Sequence, residues 1–140
     1  NDIYDSILLV TPYHPIRINN KWMFPKSLKQ PSIINSDYVY SFILTYNPVS
    51  NDILKHNMII GGIDFITWGH KSSDPIARHP YYGSNKVINH LKEIAPNNYK
   101  NGRIIFDFGC LKKEIIDGKL LTTGFNKNKL ISRENIYSNL

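Results

Sequence analysis

The side chains best suited to chemistry in this 140-residue chain are its five histidines, because imidazole exchanges protons near neutral pH and binds metal ions. They are His14, His56, His70, His79 and His90. His14 differs from the others because it lies between two prolines in the stretch TPYHP, residues 11–15. Proline restricts the residue before it to extended backbone, so Thr11 and His14 are held on one stiff segment. We expect this segment to keep the imidazole fixed.

The other histidines offer weaker signals. None has zinc-finger spacing, and the sequence contains no His-Glu-x-x-His motif. A zinc site built from histidines distant in sequence stays open as an alternative, but no metal and no other cofactor is predicted. His90 is predicted to lie on the solvent side of a helix, without a functional role. A Cys–His hydrolase that uses Cys110 and one histidine on other molecules is a further alternative.

Composition argues against several classes of partner. The net charge is +6, but the basic residues are scattered, with their densest cluster in NKNKLISR near the end, so no nucleic-acid-binding face is predicted. The longest apolar runs, such as SFIL and ILLV, are too short for a membrane span. The single cysteine, Cys110, rules out an internal disulfide and favours a reducing compartment. We therefore expect a cytoplasmic or otherwise intracellular protein.

Most of the chain has the pattern of short strands separated by turns. Three residue pairs predict two-residue hairpin turns: Asn19-Asn20, Gly61-Gly62 and Asp117-Gly118. YVYSFILTY, residues 38–46, is the strongest strand candidate, and DSILLV, residues 5–10, and RIIFDF, residues 103–108, are two more. One helix is predicted, with Ser84 as its N-cap and Pro96 as its stop. The fold class is therefore mostly β.

Several stretches together resemble a known superfamily. TPYHPI resembles the Thr-x-x-His motif of Hint domains, the self-processing domains of hedgehog proteins and inteins. VYSFIL followed by HNMIIGGIDFI is similar to a later intein segment. HPIRINNKWMFP, ITWGH, HPYYG and VINHLKEI together resemble the Vint subfamily, and the resemblance covers roughly residues 8–125. It implies a Hint-like all-β horseshoe body with a C-terminal extension containing one α-helix and a β-hairpin.

The resemblance also implies a domain organisation. Residues 1–70 would form the C-terminal, larger part of a Hint-like β domain. Residues 71–125 would form a Vint-type extension packed on it, with a helix at about 84–95 and a hairpin at about 103–125. Residues 126–140 would be a polar tail.

In Hint domains an N-terminal Cys or Ser attacks the peptide bond before it and takes the acyl group onto its side chain. Carried over on the matching motif, His14 would be the general acid that protonates the leaving amide nitrogen, and Thr11 would orient the same bond. His56 matches the histidine that assists the C-terminal step in inteins. His70 and His79 would be either an accessory site facing His14 or packing residues that dock the helix, and we favour packing.

This sequence departs from the Hint pattern at three points. The ten residues before Thr11 contain no cysteine, Ser41 replaces an aspartate of the intein pattern, and FITWGH stands where a His-Asn pair would allow splicing. The resemblance therefore implies an autoprocessing module that would cleave its own chain rather than turn over substrate. Its partner would be an N-terminal Hint segment that carries the Cys or Ser nucleophile and a flanking extein-like protein. The alternative is a non-catalytic Hint-like scaffold for protein interaction.

Overall fold

The computed structural model describes residues 8–44 and 57–126. The chain divides into two compact units, Asn1–Arg78 and His79–Leu140. Each unit contains a small antiparallel sheet, and the longest helix of the described residues lies in the second unit together with a hairpin. The mostly β fold class with a C-terminal helix and hairpin is therefore confirmed. The predicted boundary at residue 70, the packing of an extension on a body and the polar tail stay predictions.

The first unit contains a four-stranded sheet in which two pairs of strands are joined by two-residue turns. The strands are β1 (Ile16–Ile18), β2 (Lys21–Met23), β3 (Asn57–Ile60) and β4 (Ile63–Ile66), in the order β2-β1-β4-β3 and antiparallel throughout. Both residues of the turn Asn19-Asn20 have positive φ, at 49° and 62°, and Gly61-Gly62 has φ of 57° and 77°. Positive φ at both positions suits the twist of a hairpin, and asparagine and glycine adopt it at low cost. Both predicted turns are confirmed.

The two faces of this sheet differ in chemistry. Ile16 on β1 lies opposite Phe65 on β4, and these side chains are 3% and 7% exposed. The next register row pairs Arg17 with Asp64, and the two form an ion pair. Because successive residues of a strand point to opposite faces, one face contributes to the apolar core and the other carries the charged pair. Trp22 adjoins Arg17 in the same row, with its ring 5.7 Å from the guanidinium carbon.

The strongest strand prediction was wrong for the residues that the structure describes. Residues 38–44 contain no strand, only an isolated parallel bridge between Ile43 and Trp68. The N–H of Trp68 donates to the carbonyl of Phe42 at 2.8 Å. Tyr38 and Tyr40 are exposed, so aromatic content raised strand propensity without a buried face to use it. Residues 8–10 of the predicted strand DSILLV likewise have no strand assignment, and its first residues lie outside the described part.

The second unit contains helix α1 (Asn85–Ile94). Its N-cap is Ser84, as predicted, and the hydroxyl accepts from the N–H of Lys86 at 3.2 Å. Three residues at helical spacing form its buried face: Val87, Leu91 and Ile94. Pro96 follows the end of α1 but also begins a second short helix, α2 (Pro96–Lys100), which the prediction lacked. Proline is favoured in a first helical turn, because its missing N–H would have no partner there.

The same unit contains the hairpin of β5 (Leu111–Ile116) and β6 (Lys119–Phe125), joined by Asp117-Gly118 at φ of 50° and 76°. This turn was predicted. The strand predicted over residues 103–108 is wrong: residues 103–107 are irregular and Phe108–Cys110 is a 3-10 helix. A strand over residues 103–107 would need a partner strand. In the described part of this unit β5 and β6 pair only with each other, and neither pairs with residues 103–107.

Candidate functional site

Residues 11–15, which we call the elbow, form a tight turn tied to the end of β4. The N–H of His14 donates to the carbonyl of Thr11 at 3.1 Å, which closes the turn over Pro12 and Tyr13. The carbonyl of Pro15 then accepts from the N–H of Ile66 at 3.2 Å. The elbow is therefore anchored to the sheet by a main-chain hydrogen bond directly after the histidine.

The His14 imidazole is held by the same β4 residue. Its Nε2 atom lies 2.9 Å from the carbonyl oxygen of Ile66. A carbonyl can only accept, so Nε2 carries the hydrogen and donates. In the neutral ring the basic lone pair is then on Nδ1, and Nδ1 has no hydrogen-bond partner among the described residues. The Phe65 ring lies against the imidazole with centroids 5.6 Å apart.

Burial sets the protonation state of this ring. Desolvation lowers the pKa of His14 below 6.5, and the hydrogen bond to the Ile66 carbonyl opposes that shift only in part. Desolvation disfavours the charged form, while a bond donated by the ring favours it. At neutral pH the imidazole is therefore uncharged. Its Nδ1 atom can accept a proton and later release it, which is the property that a general acid–base group needs.

Thr11 and His14, two predicted site residues, come together on this one turn. Thr11 is exposed, and its carbonyl rather than its hydroxyl closes the turn. His56, the third predicted catalytic residue, lies outside the described residues. The catalytic roles of all three stay predictions.

His70 and His79 both accept main-chain hydrogen bonds. His70, in the first unit, is 3% exposed, and its Nδ1 accepts from the N–H of Ser72 at 2.9 Å. His79, in the second unit, accepts at Nδ1 from Tyr81 N–H at 3.1 Å and Tyr82 N–H at 3.0 Å. Burial lowers the pKa of His79. These bonds organise local turns. Both the accessory role and the packing role of the two histidines stay predictions.

His90 was predicted to face solvent, and this prediction was wrong. It is half-buried, with Nδ1 3.1 Å from the hydroxyl oxygen of Tyr81. Tyr81 is 2% exposed, and a buried phenol needs a hydrogen-bond partner. The helical spacing carried a usable signal, since position 90 lies three residues after buried Val87 and four before buried Ile94.

Two groups that contact the elbow could not be predicted from the amino-acid sequence. One is the main-chain carbonyl of Ile66, an acceptor that any residue could provide. The other is Lys26, which follows β2 in a 3-10 turn, Pro25–Ser27. Its N–H donates to the carbonyl of Pro12 at 3.0 Å, and its Nζ donates to the hydroxyl of Tyr13 at 2.7 Å. Nothing in the sequence pairs position 26 with positions 12 and 13.

Other kinds of site find little support in the described part of the chain. Residues 8–44 and 57–126 contain no cluster of three or more His, Cys, Asp or Glu side chains suited to a metal ion. Cys110 is a free thiol, 2% exposed, so it is not accessible as a nucleophile for a peptide bond. Neither α1 nor α2, the helices of the described residues, has the length and hydrophobicity that crossing a bilayer requires.

Comparison with known proteins identifies the family of the chain and agrees with the mostly β fold. The family model described as Vint, Hint-domain, matches residues 4–116. No curated protein matches the chain. The matched region contains the elbow, the four-stranded sheet, both α-helices and the first strand of the hairpin. The chain therefore belongs to the Vint family of Hint domains.

Proposed function

We propose that this chain is the histidine-bearing part of a self-processing Hint module, which cleaves its own polypeptide through an N-to-S or N-to-O acyl shift. The observation that carries the proposal is the state of His14. Its ring is fixed by the hydrogen bond from Nε2 to the Ile66 carbonyl, and burial keeps it neutral. Within residues 8–44 and 57–126, no group makes a hydrogen bond to Nδ1. A ring fixed in this way can move one proton between two groups of the same reaction.

The proposed reaction needs a nucleophile, which an N-terminal Hint segment would supply. Nδ1 of His14 removes the proton from a Cys thiol or Ser hydroxyl, and the resulting anion attacks the carbonyl carbon of the peptide bond before it. The tetrahedral intermediate then loses its C–N bond, and Nδ1 returns the proton to the departing nitrogen. The product is a thioester or ester that water or another nucleophile can open.

The other predicted residues have supporting parts in this proposal. The exposed Thr11 hydroxyl, on the same turn as His14, would hydrogen-bond the scissile peptide and keep it distorted. His56 would assist a later C-terminal step. The partner is the N-terminal Hint segment together with the flanking protein that it releases.

Hydroxylamine trapping in the full parent protein tests the proposal. Hydroxylamine attacks a thioester or ester carbonyl, so the released N-terminal fragment should end in a hydroxamate, identified by its intact mass. A variant with the nucleophile changed to Ala serves as the control and should stay uncut. A folded wild-type protein that yields no hydroxamate fragment would contradict the acyl shift.

A non-catalytic interaction scaffold is the second candidate, and exposed apolar side chains in the first unit favour it. Ile33 is fully exposed, and Val39 and Tyr40 are 56% and 68% exposed. Side chains of this kind on one segment are typical of surfaces that bind other proteins. This function predicts an intact parent protein in the hydroxylamine experiment, with or without His14.

A further inference from the structure

Lys26 holds both central residues of the elbow turn. Its main-chain N–H donates to the carbonyl of Pro12 at 3.0 Å, and its side-chain Nζ donates to the hydroxyl oxygen of Tyr13 at 2.7 Å. Pro12 and Tyr13 lie between Thr11 and His14, whose own hydrogen bond closes the turn. One residue of a separate element therefore makes a hydrogen bond to each of the two central residues of the elbow turn.

The contact between Lys26 and Tyr13 is a hydrogen bond rather than a cation–π interaction. Nζ lies 2.7 Å from the hydroxyl oxygen but 5.0 Å from the ring centroid, so the ammonium acts mainly on the oxygen. An ammonium has donors only, so the phenol oxygen accepts. The Phe24 and Tyr13 rings pack in a T-shaped arrangement with 5.7 Å between centroids. Tyr13 is thus held at its hydroxyl and against its ring, although it is 62% exposed.

We propose that Lys26 is a positioning residue for His14 and that it acts through Tyr13. The inference rests on the proposed self-processing function. His14 is held at its ring by Ile66 and at its backbone by the elbow turn. The direction of Nδ1 depends on both attachments, and Lys26 secures the second. Small displacements of a proton-transfer group are costly, since about 1 Å of misplacement can slow a reaction by roughly 100-fold.

Four variants of the parent protein test this role. Lys26→Met removes the side-chain donor and keeps the main-chain N–H, whereas Lys26→Arg keeps a donor. Tyr13→Phe removes the acceptor. Lys29→Met is the matched control, because Lys29 is an exposed lysine three residues further along with the same main-chain type of hydrogen bond, to the Pro25 carbonyl.

We expect Lys26→Met to slow self-cleavage by about tenfold, because the ring is displaced rather than removed. Tyr13→Phe should slow self-cleavage equally. A fifth protein that combines Lys26→Met with Tyr13→Phe should cleave no more slowly than either single variant. Lys26→Arg and Lys29→Met should cleave at the wild-type rate. All four proteins should melt within a few degrees of wild type, because the contact is exposed.

A second measurement makes failure of this inference distinguishable from failure of the proposed function. The nitrogen resonances of the His14 ring report which nitrogen carries the proton, and they can be recorded in an uncleaved protein whose nucleophile is Ala. We expect a single Nε2–H form in wild type and Lys29→Met, and a mixture of both tautomers in Lys26→Met. If wild type never cleaves but this difference appears, the positioning role stands while the self-processing function fails. The positioning role is overturned if Lys26→Met and Lys29→Met give the same ring spectrum. It is also overturned if wild type cleaves and the two variants cleave at the same rate.

Discussion

Nε2 of His14 donates to the main-chain carbonyl of Ile66 at 2.9 Å, across 52 residues of sequence. The N–H of Ile66 donates in turn to the carbonyl of Pro15. One residue at the end of β4 thus binds the elbow through both of its main-chain groups and orients the imidazole through one of them. The site therefore forms only when β4 is paired with β1, which makes the state of His14 a reporter of the fold of the first unit.

Acidification should destabilise the protein through its buried histidines. Burial lowers the pKa of His14 and of His79 below 6.5 in the folded state, so the unfolded chain binds protons first as the pH falls. Their contribution to the free energy of unfolding is complete above pH 6.5 and is lost as the pH drops through the lowered pKa values. Urea titrations between neutral and mildly acidic pH should show this loss. The loss should be smaller in His14→Gln, and an equal pH dependence in wild type and variant would contradict the assignment to His14.

The ion pair on the β1–β4 row should be worth a measurable amount of stability. Arg17 Nε donates to Asp64 Oδ2 at 2.8 Å, and a second guanidinium nitrogen reaches the same oxygen. The side chains are 24% and 17% exposed, so solvent screens them only in part. We expect Asp64→Asn to lower the free energy of unfolding by about 1 kcal/mol.

A double-mutant cycle with Arg17→Met isolates the pair from the other contacts of each side chain. The two single changes should be less than additive when combined. A coupling energy of zero would contradict the expected stabilisation and would mean that the ion pair does not contribute to the free energy of unfolding, as is true of many exposed ion pairs.

The hydroxyl of Tyr82 should stabilise the second unit. It donates to Oγ1 of Thr122 on β6 at 3.0 Å, and Thr122 is 6% exposed. Tyr82→Phe keeps the ring but leaves a buried hydroxyl without this partner, so we expect a loss of about 1 kcal/mol in the free energy of unfolding. Tyr99→Phe is the control, because no hydrogen bond of its hydroxyl occurs within the described residues. Equal urea midpoints for the two variants would rule out a stabilising role for this bond.

The parts of the fold that local chemistry dictates could be predicted from the sequence. The three hairpin turns follow from asparagine, glycine and Asp-Gly pairs that tolerate positive φ, and α1 follows from its N-cap and the 3.6-residue period of its apolar face. The stretch from residue 38 to 44 could not be predicted in this way. Its aromatic content suits a strand, but a strand needs a partner strand, and among the described residues only Trp68 forms a bridge to it.

In the candidate site, too, the local features could be predicted from the sequence and the contacts between distant segments could not. The stiffness of the elbow is local, because it follows from two prolines and one closing hydrogen bond, so His14 could be singled out from the sequence. Its anchors, the Ile66 carbonyl and Lys26, depend on which segments meet in three dimensions. For His90, the spacing of buried residues on α1 was enough to predict burial. Its hydrogen bond to Tyr81 could not be predicted, because it depends on how the fold brings the two residues together.

The most direct test of the central claim compares His14→Gln with His14→Ala in the parent protein, by intact mass and by thermal melting. The Gln amide nitrogen can replace Nε2 as the donor to the Ile66 carbonyl, but the side chain offers no basic nitrogen in place of Nδ1. We predict that His14→Gln melts close to wild type and stays uncut, that His14→Ala is less stable and also uncut, and that wild type releases a defined N-terminal fragment. Cleavage by His14→Gln at the wild-type rate would contradict a proton-transfer role for this imidazole.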